Sequence, residues 1–276
     1  MNLIVQGAVL DDAELRQLLQ LTGARSVERL GRAAYRLPGA QAEAGVAGFC
    51  ARAGVDFGFV PAGRRLEDMR LLAIDMDSTL ITIECIDEVA DLAGVKAEVS
   101  AITAAAMSGE LDYTQSLRRR VALLRGLDQG ALVRVYEERL QLSPGAEAML
   151  AAMQGAGIKT LLVSGGFSFF TERLQARLGL DHCTSNVFEI ENGRLSGRVI
   201  GDIVDADGKA AKLRALRDEL GIDKAAIIAI GDGANDLAMM AEAGVSIAYR
   251  AKPVVRNRAG YALDHCGLDG VLNLFA

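Results

Sequence analysis

The stretch from Leu71 to Leu80 constrains the fold more than any other part of this sequence. It reads L-L-A-I-D-M-D-S-T-L, so an apolar run leads directly into Asp75, and a second carboxylate, Asp77, follows two positions later. A short apolar run closed by acidic and hydroxyl residues predicts a buried strand that ends in a polar loop. Parallel strands of an open α/β sheet present ligands at their carboxyl ends, so both acids are expected at a reactive edge. Taken alone, the pair is better explained as a strand-end cap.

Two further apolar runs end in a similar way. Residues 159–163 lead into Ser164-Gly165-Gly166, and residues 225–230 lead into Gly231-Asp232-Gly233. A helical pattern follows each of these ends, which predicts an α/β domain with a doubly wound, Rossmann-like parallel sheet. In such a sheet the carboxyl ends of the strands are neighbours. We therefore expect the polar residues at all three strand ends to share one crevice.

The chain between the first and second of these strands has helical patterns only. They cover residues 83–94, 98–109, 113–125 and 129–140. This insertion is too long for a simple crossover, because structureless or single-helix connections in α/β units are much shorter. We predict a helical cap over about residues 86–142, placed above the strand ends.

The N-terminal part predicts a separate small domain. Strand and helix patterns alternate there as β-α-β-β-α-β in about sixty residues, the order of a ferredoxin-like α+β domain. A polar, charged segment from Pro61 to Asp68 reads as a linker. The predicted domains are therefore residues 1–68 and 69–276, and no catalytic chemistry is assigned to the first.

Composition and charge exclude several classes of function. Apolar residues make up 51% of the chain, which argues against disorder, and a net charge of −6 gives no basic surface for nucleic acid. The longest uncharged run, residues 160–171, is too short to span a membrane. Residues 1–17 show no export signal, so a cytoplasmic location is expected. The four cysteines are widely spread and the histidines number two, which disfavours zinc sites and histidine triads.

The polar strand ends together suit phosphoryl transfer. Asp75 and Asp232 on one edge are the oxygen ligands that Mg²⁺ prefers. The backbone N–H groups of Ser164-Gly165-Gly166 before a helix can hold a phosphate, and Lys209 can add a positive charge. Catalysis in this class of reaction is mostly positioning and charge stabilisation. The simpler alternatives are that Ser164 is a helix N-cap and that Lys209 is solvated.

The spacing of the first two acids predicts a mechanism. If the strand continues past Asp75, Asp77 returns to the same side and lies close to its partner. Asp75 can then attack phosphorus and form an aspartyl-phosphate. Asp77 would protonate the leaving alkoxide and then activate the water that hydrolyses the intermediate.

Several motifs resemble those of the haloacid dehalogenase-like phosphatases. The sequence D-M-D-S-T, beginning at Asp75, matches the D-x-D-x-T signature, and S-G-G-F at 164–167, Lys209 and G-D-G-A-N-D at 231–236 follow in the family's order. The branch of the family that acts on O-phospho-L-serine is closer still. Its glutamate motif is matched by residues 83–88, and its Q-S-L-x-x-R-V-x-L-L run by residues 115–124. The resemblance covers residue 71 to the C-terminus.

The resemblance implies a role for each matching position in the reaction. Asp75 would be the nucleophile and Asp77 the acid/base. Mg²⁺ would be bound by the Asp75 carboxylate, the Asp77 backbone carbonyl and Asp232. The phosphate would be held by Ser164 and by the N–H of Gly165.

The remaining positions implied by the resemblance would neutralise the phosphate charge, orient bound groups or select the substrate. Lys209 would neutralise the phosphate, and Asn235 and Asp236 would orient the metal's waters and the lysine. Glu84 would face the ammonium group of the substrate and Arg120 its carboxylate, although the run of three arginines also fits a solvated helix face. The pocket lining would be completed by Met107 and by Tyr113, where relatives have Phe.

The implied activity is hydrolysis of a small molecule, O-phospho-L-serine, to L-serine and phosphate, the last step of serine biosynthesis. Neither nucleic acid nor a membrane is an expected partner. One alternative is a related phosphatase or phosphotransferase that acts on another small phosphate monoester. Another is an amino-acid-sensing regulator, because the N-terminal part resembles an ACT-type module. Such modules often pair between subunits, which would make a homodimer.

Overall fold

The computed structural model describes residues 1–41, 44–107 and 110–275. The first part of the chain forms four strands and two helices in the predicted order. Their bounds are β1 (Asn2–Gln6), α1 (Asp12–Thr22), β2 (Glu28–Gly31), β3 (Ala34–Pro38), α2 (Ala44–Ala53) and β4 (Asp56–Val60). The strands form an antiparallel sheet with the order β2-β3-β1-β4, which is the ferredoxin-like arrangement expected from the sequence.

Local sequence explains the helix α1 at both ends. Asp11 is its N-cap, and its carboxylate accepts hydrogen bonds from the N–H groups of Ala13 and Glu14, while Glu14 bonds back to the Asp11 N–H. Gly23 ends the helix with a φ of 63°, a left-handed conformation that favours glycine. Both helices cover one face of the sheet, where alternate residues of the strands are buried.

The rest of the chain is built around a larger sheet. Its strands are β5 (Leu71–Ile74), β6 (Lys159–Phe167), β7 (His182–Glu191), β8 (Arg194–Ile200), β9 (Ile227–Gly231), β10 (Val245–Tyr249) and β11 (Tyr261–Leu263). The order is β11-β10-β9-β5-β6-β7-β8, and the described neighbours pair in parallel except for β7 and β8. The strand β5 lies in the middle and is fully buried, because helices cover both faces of a parallel sheet.

Helices fill the long connection between β5 and β6, as predicted for a cap. They are α3 (Cys85–Leu92), α4 (Lys96–Met107), α5 (Tyr113–Leu123) and α6 (Gly130–Arg134), which a wider turn continues to Arg139. The other helices are α7 (Ala146–Gly155), α8 (Ser168–Leu178), α9 (Ala206–Glu219), α10 (Leu237–Met240) and α11 (Pro253–Arg256). The apolar side of the cap joins the main core through residues such as Val89, Leu117 and Val121.

The small sheet is attached to the end of the chain by hydrogen bonds of two buried side chains, Asp56 and Gln6. Asp56 accepts from the N–H groups of Asp264, His265 and Cys266 at 2.7–3.2 Å. Gln6 donates to the carbonyl of Gly270, in the 3-10 segment Leu268–Phe275. Residues 1–68 and 69–276 stay our proposed domain limits. Within the described ranges, no helix combines the length and apolar character that crossing a bilayer requires.

Candidate active site

The two acids of the opening stretch reach the site by way of a turn. The strand β5 ends at Ile74, and residues 76–80 form one wide turn in which the N–H of Leu80 donates to the carbonyl of Asp75 at 3.2 Å. Ser78 adopts a left-handed conformation, with a φ of 56°. The prediction of a strand that continues past Asp75 was therefore wrong. The turn, rather than strand alternation, places Asp77 beside the end of β5.

A cavity of about 440 Å³ lies at the carboxyl ends of the parallel strands, under the helical cap. Most of the predicted site residues line it: Asp75, Asp77, Glu84, Tyr113, Arg120, Ser164, Gly165, Asp232 and Asn235. Lys209 and Asp236 are fully buried next to it. The side chain of Met107 lies outside the described part of the structure. The sheet and the cap thus bring together residues that are up to 160 positions apart in the sequence.

Lys209 connects two of the acids. Its ammonium group lies 2.5 Å from Asp75 Oδ1 and 2.7 Å from Asp236 Oδ1, and its side chain is 1% exposed. Burial alone would lower the pKa of this lysine, but the charges of Asp236 and Asp75 raise it above its usual value. Lys209 is therefore a buried cation next to the cavity, and the alternative of a solvated lysine was wrong.

Three carboxylates form a group that could hold a metal ion. One oxygen from each of Asp75, Asp232 and Asp236 lies within 4.8 Å of the other two. The predicted set combined Asp75 and Asp232 with the backbone carbonyl of Asp77, so Asp236 is an addition from the structure. Burial and the charge of Asp236 raise the pKa of Asp75 well above its usual range and the pKa of Asp232 to about 6. Carboxylate oxygens whose negative charge is only partly neutralised by neighbouring groups suit a divalent cation.

Asp77 has surroundings that suit a proton-transfer group. Its Oδ1 accepts a hydrogen bond from the N–H of Cys85 at 2.8 Å, and the Ser164 hydroxyl lies 3.4 Å from its Oδ2. Burial and the nearby charge of Glu84 raise the pKa of Asp77 to about 7. An acid with such a pKa can give up and regain a proton near neutral pH.

The loop after the second buried run carries Ser164. Strand pairing is interrupted after Val163 and resumes at Phe167, which is the N-cap of α8, so the alternative that Ser164 caps this helix was wrong. The Ser164 hydroxyl instead accepts from the N–H of Gly166 at 2.8 Å. A Cβ atom on Gly166 would lie 2.6 Å from Asp77 Oδ2, so any larger residue would displace the Asp77 carboxylate. The loop and the acidic turn are packed directly against each other.

The cap contributes Glu84, Arg120 and Tyr113 to the cavity. Glu84 accepts a hydrogen bond from the Ser78 hydroxyl at 2.7 Å. The Nε atom of Arg120 is buried and has no hydrogen-bond partner among the described residues. The Tyr113 hydroxyl donates to the carbonyl of Gly165 at 3.0 Å, and burial raises the pKa of this tyrosine to about 12. The additional hydroxyl of Tyr113 therefore joins the cap to the loop below it.

Two of the residues missed from the sequence contact Asp232. Lys252 lines the cavity directly after β10, and its backbone N–H donates to the carbonyl of Asp232 at 3.2 Å. Thr79 is buried in the turn, and its hydroxyl lies 3.3 Å from Asp232 Oδ1. The rule that strand ends meet at one edge would have indicated Lys252, because a short, mostly apolar run at residues 245–248 ends just before it. Thr79 is the last residue of the D-x-D-x-T match, so that motif was the signal that could have indicated it.

Comparison with known proteins places the larger part of the chain in a family. A family model described as haloacid dehalogenase-like hydrolase matches residues 72–241. A second model, described only as a domain of unknown function, matches residues 3–45. The ACT-type interpretation of the N-terminal part therefore stays a prediction.

Similar proteins were found by sequence and by structure. A phosphoserine phosphatase of Polaromonas sp. is 54% identical over 215 residues, which are 76% of this chain and 91% of that protein. The unliganded crystal structure of a probable phosphoserine phosphatase from Vibrio cholerae is 37% identical, with a TM-score of 0.88 over 99% of this chain and 86% of that chain. A phospho-aspartyl intermediate analogue of phosphoserine phosphatase is 35% identical, with a TM-score of 0.71 over 75% and 99%. The chain therefore belongs to the haloacid dehalogenase-like hydrolases.

Proposed function

We propose that this protein is a Mg²⁺-dependent phosphatase that hydrolyses O-phospho-L-serine to L-serine and phosphate. The observation that carries the proposal is that Asp75, Asp77, Glu84 and Arg120 line one cavity. The first two suit phosphoryl transfer, and the last two offer one negative and one positive charge to an amino acid. The relatives named as phosphoserine phosphatases support the same substrate. The reaction would be the last step of serine biosynthesis.

The two acids of the turn would perform the reaction. A carboxylate oxygen of Asp75 attacks phosphorus, the bond from phosphorus to the serine oxygen breaks, and an aspartyl-phosphate forms. Asp77 gives its proton to the leaving serine oxygen. It then takes a proton from the water that attacks the phosphorus of the aspartyl-phosphate, and free phosphate leaves. A pKa of about 7 allows Asp77 to serve in both directions.

Different groups around Asp75 would hold the phosphate and the metal. The Ser164 hydroxyl and the Gly165 N–H would donate hydrogen bonds to the phosphate, and Lys209 would balance its charge. The residues proposed to hold and orient Mg²⁺ are Asp75, Asp77 through its carbonyl, Asp232, Asn235 and Asp236. Mg²⁺, when bound, would neutralise charge on the phosphate and on these carboxylates.

Selectivity would come from the cap. Glu84 would face the substrate ammonium group, and Arg120, whose buried Nε has no partner among the described residues, would face the carboxylate. Tyr113 and Met107 are proposed to line the pocket around the serine carbon atoms. A phosphate monoester without both charges would leave at least one of these groups unpaired, and it would be a poorer substrate.

The proposal is tested by assaying a panel of phosphate monoesters with the full-length protein and Mg²⁺. We expect O-phospho-L-serine to give the highest kcat/KM and L-serine to be the product. Asp75→Asn should abolish turnover, and EDTA should abolish it reversibly, with activity restored by Mg²⁺. A preference for a substrate without an amino acid group would refute the assignment of O-phospho-L-serine as the substrate. Retained turnover in Asp75→Asn would refute the proposed mechanism.

A further inference from the structure

The carbonyl of Gly165 is held from two sides. The Tyr113 hydroxyl donates to it from the cap at 3.0 Å, and the side-chain amide of Asn186 donates to it from the core at 2.7 Å. Asn186 lies on β7 and is completely buried, with 0% exposure. A buried amide with this geometry is not required by the sheet, and the proposed reaction does not yet use it.

The other end of the Asn186 side chain contacts a second functional segment. Its Oδ1 accepts a hydrogen bond from the N–H of Val204 at 2.8 Å. Its orientation is fixed by its partners, because a carbonyl can only accept and a backbone N–H can only donate. Val204 directly precedes Asp205, the N-cap of α9, and the N–H of Lys209 bonds to the Asp205 carbonyl at 2.9 Å. One buried side chain thus joins the phosphate loop to the start of the helix that carries Lys209.

Planarity extends the influence of Asn186 to the Ser164 hydroxyl. The carbonyl of Gly165 and the N–H of Gly166 belong to one planar peptide group, so fixing the first orients the second. The Gly166 N–H donates to Ser164 Oγ at 2.8 Å, which uses the hydroxyl as an acceptor. The hydroxyl proton is then directed outward, where Asp77 Oδ2 lies 3.4 Å away. A phosphate oxygen would accept the same proton during the reaction.

We propose that Asn186 is a positioning residue for phosphoryl transfer, which aligns the Ser164 hydroxyl and the Lys209 helix on one phosphate. It acts through the Gly165–Gly166 peptide and through Val204, and it does not touch the substrate. This inference rests on the proposed phosphatase function. It deepens that function, because it explains how groups from two separate loops keep a fixed spacing around a small anion.

The test compares two variants of Asn186 with the wild-type protein, using O-phospho-L-serine and inorganic phosphate with Mg²⁺. Asn186→Asp keeps the volume and the acceptor for Val204 but replaces the donor to Gly165, and Asn186→Ala removes both bonds. We expect kcat/KM to fall by about 10- to 100-fold in each, the size of effect seen when groups that orient functional ligands are removed. The inhibition constant of inorganic phosphate should rise, because the phosphate loop is misaligned even without the serine part.

Thr160→Val provides the matched control. Thr160 is also fully buried, and its hydroxyl joins β6 to Asp181 by two hydrogen bonds of 2.9 and 3.0 Å, at the opposite end of the strand from the loop. The Thr160→Val substitution should lower the melting temperature without changing the inhibition constant of inorganic phosphate. The positioning role would be overturned if the Asn186 variants kept the wild-type phosphate inhibition constant. It would also be overturned if their activity fell only in proportion to their folded fraction, or if neither variant folded. If the wild-type protein itself fails to hydrolyse the substrate, the proposed function fails instead.

Discussion

At the scale of single residues, Lys209 determines the electrostatics of the site. Two buried carboxyl groups lie within 2.7 Å of its ammonium group, so the protein places two acidic side chains around one positive charge away from water. Such an arrangement is stable only while the partners stay together, since an uncompensated buried charge is costly. The charge balance of this cluster therefore contributes to stability as well as to catalysis.

We predict that Lys209→Met destabilises the metal-free protein by about 3–5 kcal/mol, the usual cost of breaking a buried ion pair. The pKa of Asp75, already raised by burial and by the Asp236 charge, would rise further without the lysine. The folded variant would then bind more protons than the unfolded chain, so its stability should decrease as the pH rises. Urea unfolding in EDTA at pH 5 and pH 8 measures both effects. The exposed Lys212→Met on the same helix is the control, and an equal loss in both variants would contradict the prediction.

Arg120 is the residue that most directly tests substrate recognition. We predict that Arg120→Ala lowers kcat/KM for O-phospho-L-serine about 10- to 150-fold, which corresponds to the loss of about 1.5–3 kcal/mol for a hydrogen bond with a charged group. Activity on phosphoethanolamine, which has no carboxylate, should be much less affected. Arg119→Ala, an exposed position on the same helix, is the control. Equal losses on both substrates would show that Arg120 does not contact the carboxylate.

The residues of the site were predictable where they follow the end of a strand. They were unpredictable where a turn determines the position of the side chain. Asp75, Ser164 and Asp232 follow apolar runs, and the sheet brings such ends together whatever the details of the loops. The position of Asp77 depends on a turn in which Ser78 has a left-handed backbone conformation. Glycine is the usual sequence signal for such a conformation, and this turn has none. The direction of a buried side chain such as Thr79 depends on that same turn and is visible only in three dimensions.

At the scale of secondary structure, the fold was predictable where apolar runs are long. The central strands and the four cap helices occur within a few residues of their expected bounds. The strand β11 and the 3-10 segment Leu268–Phe275 were not predicted. Three residues are too few for a periodic pattern, and the segment is stabilised mainly by tertiary contacts, with Leu268 and Val271 fully buried in the main core.

The cap and the sheet are connected by the hydrogen bond from Tyr113 to Gly165, and we predict that this bond favours the closed cap. Tyr113→Phe removes the hydroxyl but keeps the ring, while Asn186 still holds the Gly165 carbonyl. Removing this hydrogen bond should weaken closure of the cap on the substrate by about 0.5–1.5 kcal/mol. This should raise KM for O-phospho-L-serine roughly 2- to 12-fold and leave kcat nearly unchanged. Steady-state kinetics of Tyr113→Phe and of Tyr136→Phe, a cap tyrosine outside the cavity lining, provide the measurement. A lower kcat at constant KM would assign the hydroxyl to the chemical step instead.

At the scale of the whole molecule, the small N-terminal sheet and the catalytic part are joined away from the cavity. The described residues that line the cavity all lie between Asp75 and Lys252, so residues 1–68 contribute none of them. The connection includes hydrogen bonds of the buried side chains of Asp56 and Gln6 with the end of the chain, beside apolar packing of Ile4 and Val60 in the main core. Attachment of the first 68 residues can therefore be weakened without altering the reactive groups.

We predict that Asp56→Asn weakens this attachment and leaves catalysis intact. Asp56 is 4% exposed and accepts from three successive backbone N–H groups, and an amide nitrogen in place of one oxygen cannot accept. A buried N–H left without an acceptor costs about 1–3 kcal/mol. Calorimetry should then show a lower melting temperature, with the N-terminal part unfolding in a separate, earlier transition.

The matched control for Asp56 is Glu28→Gln, which removes a carboxylate of the same small sheet from an exposed ion pair with Arg36. Exposed pairs contribute only about 0–1 kcal/mol, so this variant should unfold like the wild-type protein. Turnover of O-phospho-L-serine at 25 °C should stay within about twofold of wild type in both variants, since neither residue touches the cavity. A single, unshifted transition in Asp56→Asn would show that the polar contacts do not hold the two parts together. A parallel loss of kcat would show that the small sheet supports the active site, and would remove the reason to treat residues 1–68 as a separate domain.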